Sequence, residues 1–83
     1  MPTFIDIHEG FHGVTQDQFD EAHQADLDIQ AEEGVRFDRA WLDPSSGKVF
    51  CLATGPSMDA VRRVHARAGH PADETYEVPL EVS

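Results

Sequence analysis

Three observations predict an α+β domain with the element order β-α-β-β-α-β. A short β-rich run, T-F-I-D-I-H, opens the chain, two stretches repeat their apolar residues at helical spacing, and two strand-like runs between them are joined by Pro-Ser-Ser-Gly. With 83 residues there is room for one small domain, of a size that buries somewhat more than half of its unfolded surface.

Thr3 to His8 alternates, so Phe4, Asp6 and His8 share one face of the first strand while Ile5 and Ile7 share the other. Gly10 and Gly13 end that run. Thr15 stands in N-cap position with Gln18 three residues later, a capping-box spacing, and Gly34 sits where a helix C-terminal glycine belongs, which predicts a helix over Thr15 to Glu33. Val35 to Asp43 and Lys48 to Thr54 form an antiparallel hairpin across Pro44-Ser45-Ser46-Gly47. Gly55-Pro56-Ser57 resets the chain. Ser57 caps a second helix running to about Ala68, and Gly69-His70-Pro71 stops it. The last strand is expected over Glu74 to Val82, with Pro79 placing it at a sheet edge.

This order is the split βαβ pattern of ferredoxin-like folds, a four-stranded antiparallel sheet with two helices on one face. The other face then lacks a cover. Phe4, Phe37, Trp41 and Phe50 are available to line one face or the other, and a second copy of the chain is the natural cover, so a homodimer through the open sheet face is expected. No internal repeat beyond the two halves and no linker is present.

Six basic against sixteen acidic residues leave a formal charge of −10, which opposes nucleic acid and anionic membranes and favours cations. No apolar run approaches a membrane span and the N-terminus lacks a secretory pattern, so the expected location is the cytoplasm. Cys51 is the single cysteine and makes no internal disulfide. Five histidines are the more informative excess.

The first helix carries polar residues where it should be apolar. On a helical projection Phe19, Ala22, Leu27 and Ile29 share one arc, and His23, Asp26 and Gln30 fall inside it. A buried carboxylate requires pairing, hydrogen bonds or a metal. His23, Asp26 and Gln30 line one stripe with an imidazole and two oxygen donors. In the second helix His65 lies at the margin of the Ala60, Val61, Val64 and Ala68 arc, and the first strand adds Asp6 and His8. If that strand face looks at the helices, His8, His23, His65, Asp6 and Asp26 converge in a mixed nitrogen and oxygen site suited to nickel, zinc, cobalt or copper. The alternative is a structural hydrogen bond in which Asp26 fixes an imidazole tautomer and Gln30 caps a backbone group. Cys51 reads as a small buried hydrophobe with a lesser claim as ligand. His8-Glu9-Gly10-Phe11-His12 matches H-E-x-x-H, but it starts on a strand and runs into glycines, whereas protease chemistry needs both histidines on one helix face.

The stretches F-I-D-I-H, A-H-Q-A-D-L-D-I-Q, G-V-R-F-D-R-A-W-L-D, G-K-V-F-C-L and A-V-R-R-V-H, with the later A-D-E-T-Y-E-V, resemble the small bacterial nickel-binding proteins of a domain-of-unknown-function family. That resemblance implies a ferredoxin-like fold, a homodimer and binding of nickel or a similar divalent transition metal, with no established enzymatic activity. The chain departs from the family pattern at Ile7, where an arginine is usual, and at Gly69, where a second histidine is frequent; His70 follows immediately.

The reading is a divalent-metal protein for sequestration, delivery or sensing, with His8, His23, Asp26 and His65 as ligands and Asp6, Gln30, His70 and Cys51 as lesser candidates. The alternative is a small dimeric enzyme or organic-ligand binder using a His23-Asp26 pair as base and orienter inside a pocket. A third is an interaction subunit in which the polar triplet only fixes packing.

Overall fold

The computed structural model describes residues 1–83. In chain order it has β1 (Thr3–His8), α1 (Gln16–Gln30), a short 3₁₀ turn (Ala31–Glu33), β2 (Arg36–Asp43), β3 (Lys48–Thr54), α2 (Met58–Arg67) and β4 (Glu74–Glu77). The strands form one antiparallel sheet in the order β2-β3-β1-β4. This is the α+β, ferredoxin-like arrangement that the sequence predicts, with β1 and β3 central and β2 and β4 at the edges. None of its helices is long and apolar enough to cross a membrane.

Local signals set the element ends. Thr15 accepts from the Gln18 backbone N–H while the Gln18 side chain accepts from Thr15 N–H, so both halves of the capping box start α1. Ser57 caps α2 by accepting from Ala60 N–H. The β2 to β3 ladder carries an irregularity between Phe37 and Arg39, after which Ala40 and Leu42 pair with Cys51 and Val49 and share their inner face.

The sheet sorts its aromatics by the two-residue period. Phe4 and Phe37 turn inward and join Val35, Val49, Cys51, Ala53, Ala60, Val61 and Val64 in the core. Trp41 and Phe50 pair on the other face, beside Ile5, Ile7, Leu52 and Tyr76, and no element of the chain covers them. Helix α1 sits against the core with Phe19, Leu27 and Ile29 only partly buried; its one fully buried side chain is Asp26.

Three boundaries differ from the sequence reading, the first being that α1 ends at Gln30 and the residues to Glu33 wind as a 3₁₀ turn. Val35 precedes β2, its N–H closing the helical turn onto Gln30 O at 3.0 Å. The last strand ends at Glu77, not Val82: Val78 N–H still reaches Thr3 O at 2.9 Å, but Pro79 has no donor to continue the ladder, and Leu80 and Val82 are 92% and 99% exposed.

Candidate metal centre

Inside the sheet-helix layer, four elements deliver polar side chains to one place. Alternation along β1 sends Asp6 and His8 inward with Phe4, and all three are buried. The register sets Asp6 opposite Cys51 on β3 and opposite Thr75 on β4. From above, α1 presents Asp26 and α2 presents His65, one residue beyond Val64 on the buried arc.

His70 arrives by the way α2 ends. Gly69 N–H bonds Ala66 O at 3.2 Å and His70 N–H bonds His65 O at 3.0 Å, the paired bonds of a Schellman motif, with Gly69 at φ +90°. A residue with a side chain rarely adopts that backbone. The motif folds His70 back over the last turn of α2, where its Nε2 donates to Asp26 Oδ1 at 2.9 Å.

His65 is the hub. Its Nδ1 lies 3.0 Å from Asp26 Oδ1 and its Nε2 2.8 Å from Asp6 Oδ2, and its ring is fully buried. Only the imidazolium donates from both nitrogens. Burial alone would lower the His65 pKa, but the Asp26 and Asp6 hydrogen bonds outweigh it and raise the value to about 11. Burial likewise pushes the Asp26 carboxyl up, and the hydrogen bonds from His65 and His70 hold it below the usual carboxylate value. Thr75 Oγ1 donates to the free Asp6 oxygen at 2.7 Å. The cluster is thus Asp6 and Asp26 held by one cation, with each histidine contact spent on a carboxylate.

His8 stands apart. It is 2% exposed, yet neither ring nitrogen has a hydrogen-bond partner. Its ring meets His65 edge-on, centroids 4.4 Å apart, and lies 5.7 Å from the His70 ring. Burial, then the neighbouring His65 charge, lowers the His8 pKa to about 4, so at neutral pH it is an uncharged imidazole with an unused lone pair. Leaving buried donors and acceptors unmade costs roughly 1–3 kcal/mol. That makes His8 the residue in this fold most in need of a ligand.

A small void of about 10 Å³ opens beside it, lined among others by His8, His23, Asp26, Cys51 and His70. That is space for one water or one ion and no more. The organic-ligand alternative therefore finds little room here, and no hydrogen bond joins His23 to Asp26 to make a base and orienter. Ligand atoms of Asp26, His65 and His70 fall within 4.8 Å of one another, as do those of His8, Cys51 and His65. With both His65 nitrogens turned to carboxylates, the donors left are the His8 and His70 imidazoles and the Asp26 carboxylate, a set that suits a borderline divalent transition metal, and separately the Cys51 thiol beside His8.

Of the sequence-predicted residues, His8, His23, Asp26, Cys51 and His70 border the void, while His65 and Asp6 form the ion pair beside it. Gln30 lies elsewhere in use: its Oε1 accepts from Phe37 N–H at 2.9 Å, tying α1 to β2. His12 is exposed and packs over Gly47 in the β2 to β3 turn, so H-E-x-x-H is a strand end and a turn. Sequence reasoning assigned Thr75 no role, and only the β1 to β4 register reveals its contact with Asp6.

The SCO4226-like family profile, described as nickel responsive protein SCO4226-like, matches residues 4–78. The chain belongs to this family. A solved relative, SCO4226 from Streptomyces coelicolor A3(2), shares 56% sequence identity and superposes with a TM-score of 0.95 over 96% of this chain and 99% of that one. No curated protein matches the chain. Membership in the SCO4226-like family agrees with the resemblance carried by A-H-Q-A-D-L-D-I-Q and A-V-R-R-V-H.

Proposed function

We propose that this protein binds one divalent transition metal of the nickel type in the void between α1, the end of α2 and the inner sheet face. The observation that carries the reading is His8, buried and neutral with two unpartnered ring nitrogens beside that void. His8, His23, His70 and Asp26 are the ligands, and the name of the SCO4226-like family supports nickel over other ions. His65, whose two nitrogens are both engaged, orients Asp26 rather than binding the ion. Imidazole and carboxylate donors of this sort favour nickel, zinc or cobalt, and a bound cation would offset the net negative charge of two carboxylates facing one imidazolium.

The role is sequestration, delivery or sensing in the cytoplasm, by a homodimer that covers Ile5, Ile7, Trp41, Phe50, Leu52 and Tyr76 on the open sheet face. An apolar face of this breadth supports a second copy as its cover; Phe50→Glu should then shift sedimentation from dimer to monomer while the fold persists. Nickel-edge X-ray absorption of the loaded protein tests the metal reading. A nitrogen and oxygen shell with imidazole multiple scattering, reduced in His8→Ala, is the expected result; an all-oxygen shell overturns it.

A further inference from the structure

We propose that His8 and Cys51 form a soft nitrogen-sulfur pair on the floor of the same void that takes a monovalent thiophilic ion, cuprous copper. The inference rests on the void being a metal site and adds a second class of cargo to it.

The two residues lie diagonally on adjacent strands, since His8 pairs with Val49 and Asp6 with Cys51. Cys51 is 3% exposed, and the ligand atoms of His8, Cys51 and His65 fall within 4.8 Å of one another. Metal-nitrogen and metal-sulfur bonds of roughly 2.0 and 2.3 Å span up to about 4.3 Å, so a small side-chain adjustment closes the pair around one ion. His65 has no lone pair to offer, because both of its nitrogens face carboxylates. What remains is one imidazole and one sulfur. Two donors with a thiolate among them suit cuprous copper, whereas nickel and zinc want more ligands.

Charge points the same way. The donor group that contains Cys51 holds His8 and His65 but no carboxylate, since Asp6 and Asp26 turn their oxygens to His65 and His70, so no carboxylate neutralises an ion seated at the sulfur. Cuprous ion plus the Cys51 thiol gives a copper-thiolate bond and one proton released to solvent. One positive charge enters as one leaves, and the buried floor gains no net charge, which a divalent ion at the same two donors would add. A lone cysteine in a core has no such use by itself; here the orphaned His8 imidazole lies beside it.

Anaerobic titration of chelator-stripped protein with cuprous bicinchoninate, paired with nickel titration of the same samples, tests this on wild type, Cys51→Ser and Cys51→Ala. Wild type should hold one cuprous ion per chain, both variants should weaken it about 100-fold or more, and nickel affinity should stay within about threefold. A sulfur neighbour at the copper edge in wild type is required. Equal cuprous affinity in wild type and both variants, or no sulfur neighbour, overturns the proposal. Nickel affinity falling with copper in folded variants also overturns it, because Cys51 would then belong to the divalent ligand set. Copper bound through Cys51 without any nickel binding leaves this inference standing and removes the divalent reading.

Discussion

Removing the central cation should expose the cost of the buried carboxylates. In metal-free His65→Leu, Asp6 and Asp26 lose the group that accounts for contacts of 2.8 and 3.0 Å and remain in the interior with only Thr75 and His70 as partners. Breaking one side of a buried ion pair destabilises by about 3–5 kcal/mol. Against a total of roughly 4–12 kcal/mol for a chain of this length, that is enough to move the urea midpoint far down at pH 7. The penalty should shrink as pH falls, since unpaired buried carboxylates take up protons in the folded state and no longer present two charges to a low-dielectric interior. Urea unfolding of wild type and variant at pH 7.5, 6 and 5 reads the difference directly. A cost below about 1 kcal/mol at pH 7.5, or one that stays flat down to pH 5, would refute the ion-pair account.

Metal-free wild type should be most stable near pH 6.5. The His65 pKa is raised to about 11, so its contribution is complete below its unfolded value of 6.5 and is lost as pH rises towards 11, by about 1 kcal/mol per unit; the His8 pKa is lowered to about 4, so stability also falls as pH drops from 6.5 to 4 while the unfolded chain takes the proton first. Replacing His8 with phenylalanine should abolish the acid limb alone, as followed by thermal melts at fixed pH. Gly69→Ala meets no steric neighbour but is strained at φ +90°, so it should cost about 1 kcal/mol and weaken nickel binding by displacing His70. Thr75→Val removes the 2.7 Å bond to Asp6 and should cost about 1–3 kcal/mol by urea unfolding, with β4 still in place.

Much of this fold is written locally. The Thr15 and Gln18 capping box, the Ser57 cap, the hairpin turn and the alternation of β1 depend on residues a few positions apart, and each is found where the sequence places it. The misplacement of Asp26 on an apolar arc was equally legible, because burial follows from helical period. What receives Asp26 was less so. His65 and His70 lie 39 and 44 positions away, and that His65 spends both nitrogens on carboxylates is a matter of tertiary geometry, not spacing. Gln30 shares the arc with Asp26, yet its contact is a backbone N–H of β2. Thr75 depends on the register of an edge strand, and V-P-L-E-V alternates like a strand although Pro79 cannot continue the ladder.

The most direct test of the metal centre is calorimetric titration of chelator-stripped, tag-free protein with nickel, beside His8→Ala. One ion per chain at a Kd below about 1 μM, near −8 kcal/mol, weakened about 100-fold or more in the folded variant, is the predicted result. Absence of binding tighter than about 100 μM in wild type, or equal affinity in the two proteins, would contradict the account and leave the buried imidazole without a ligand.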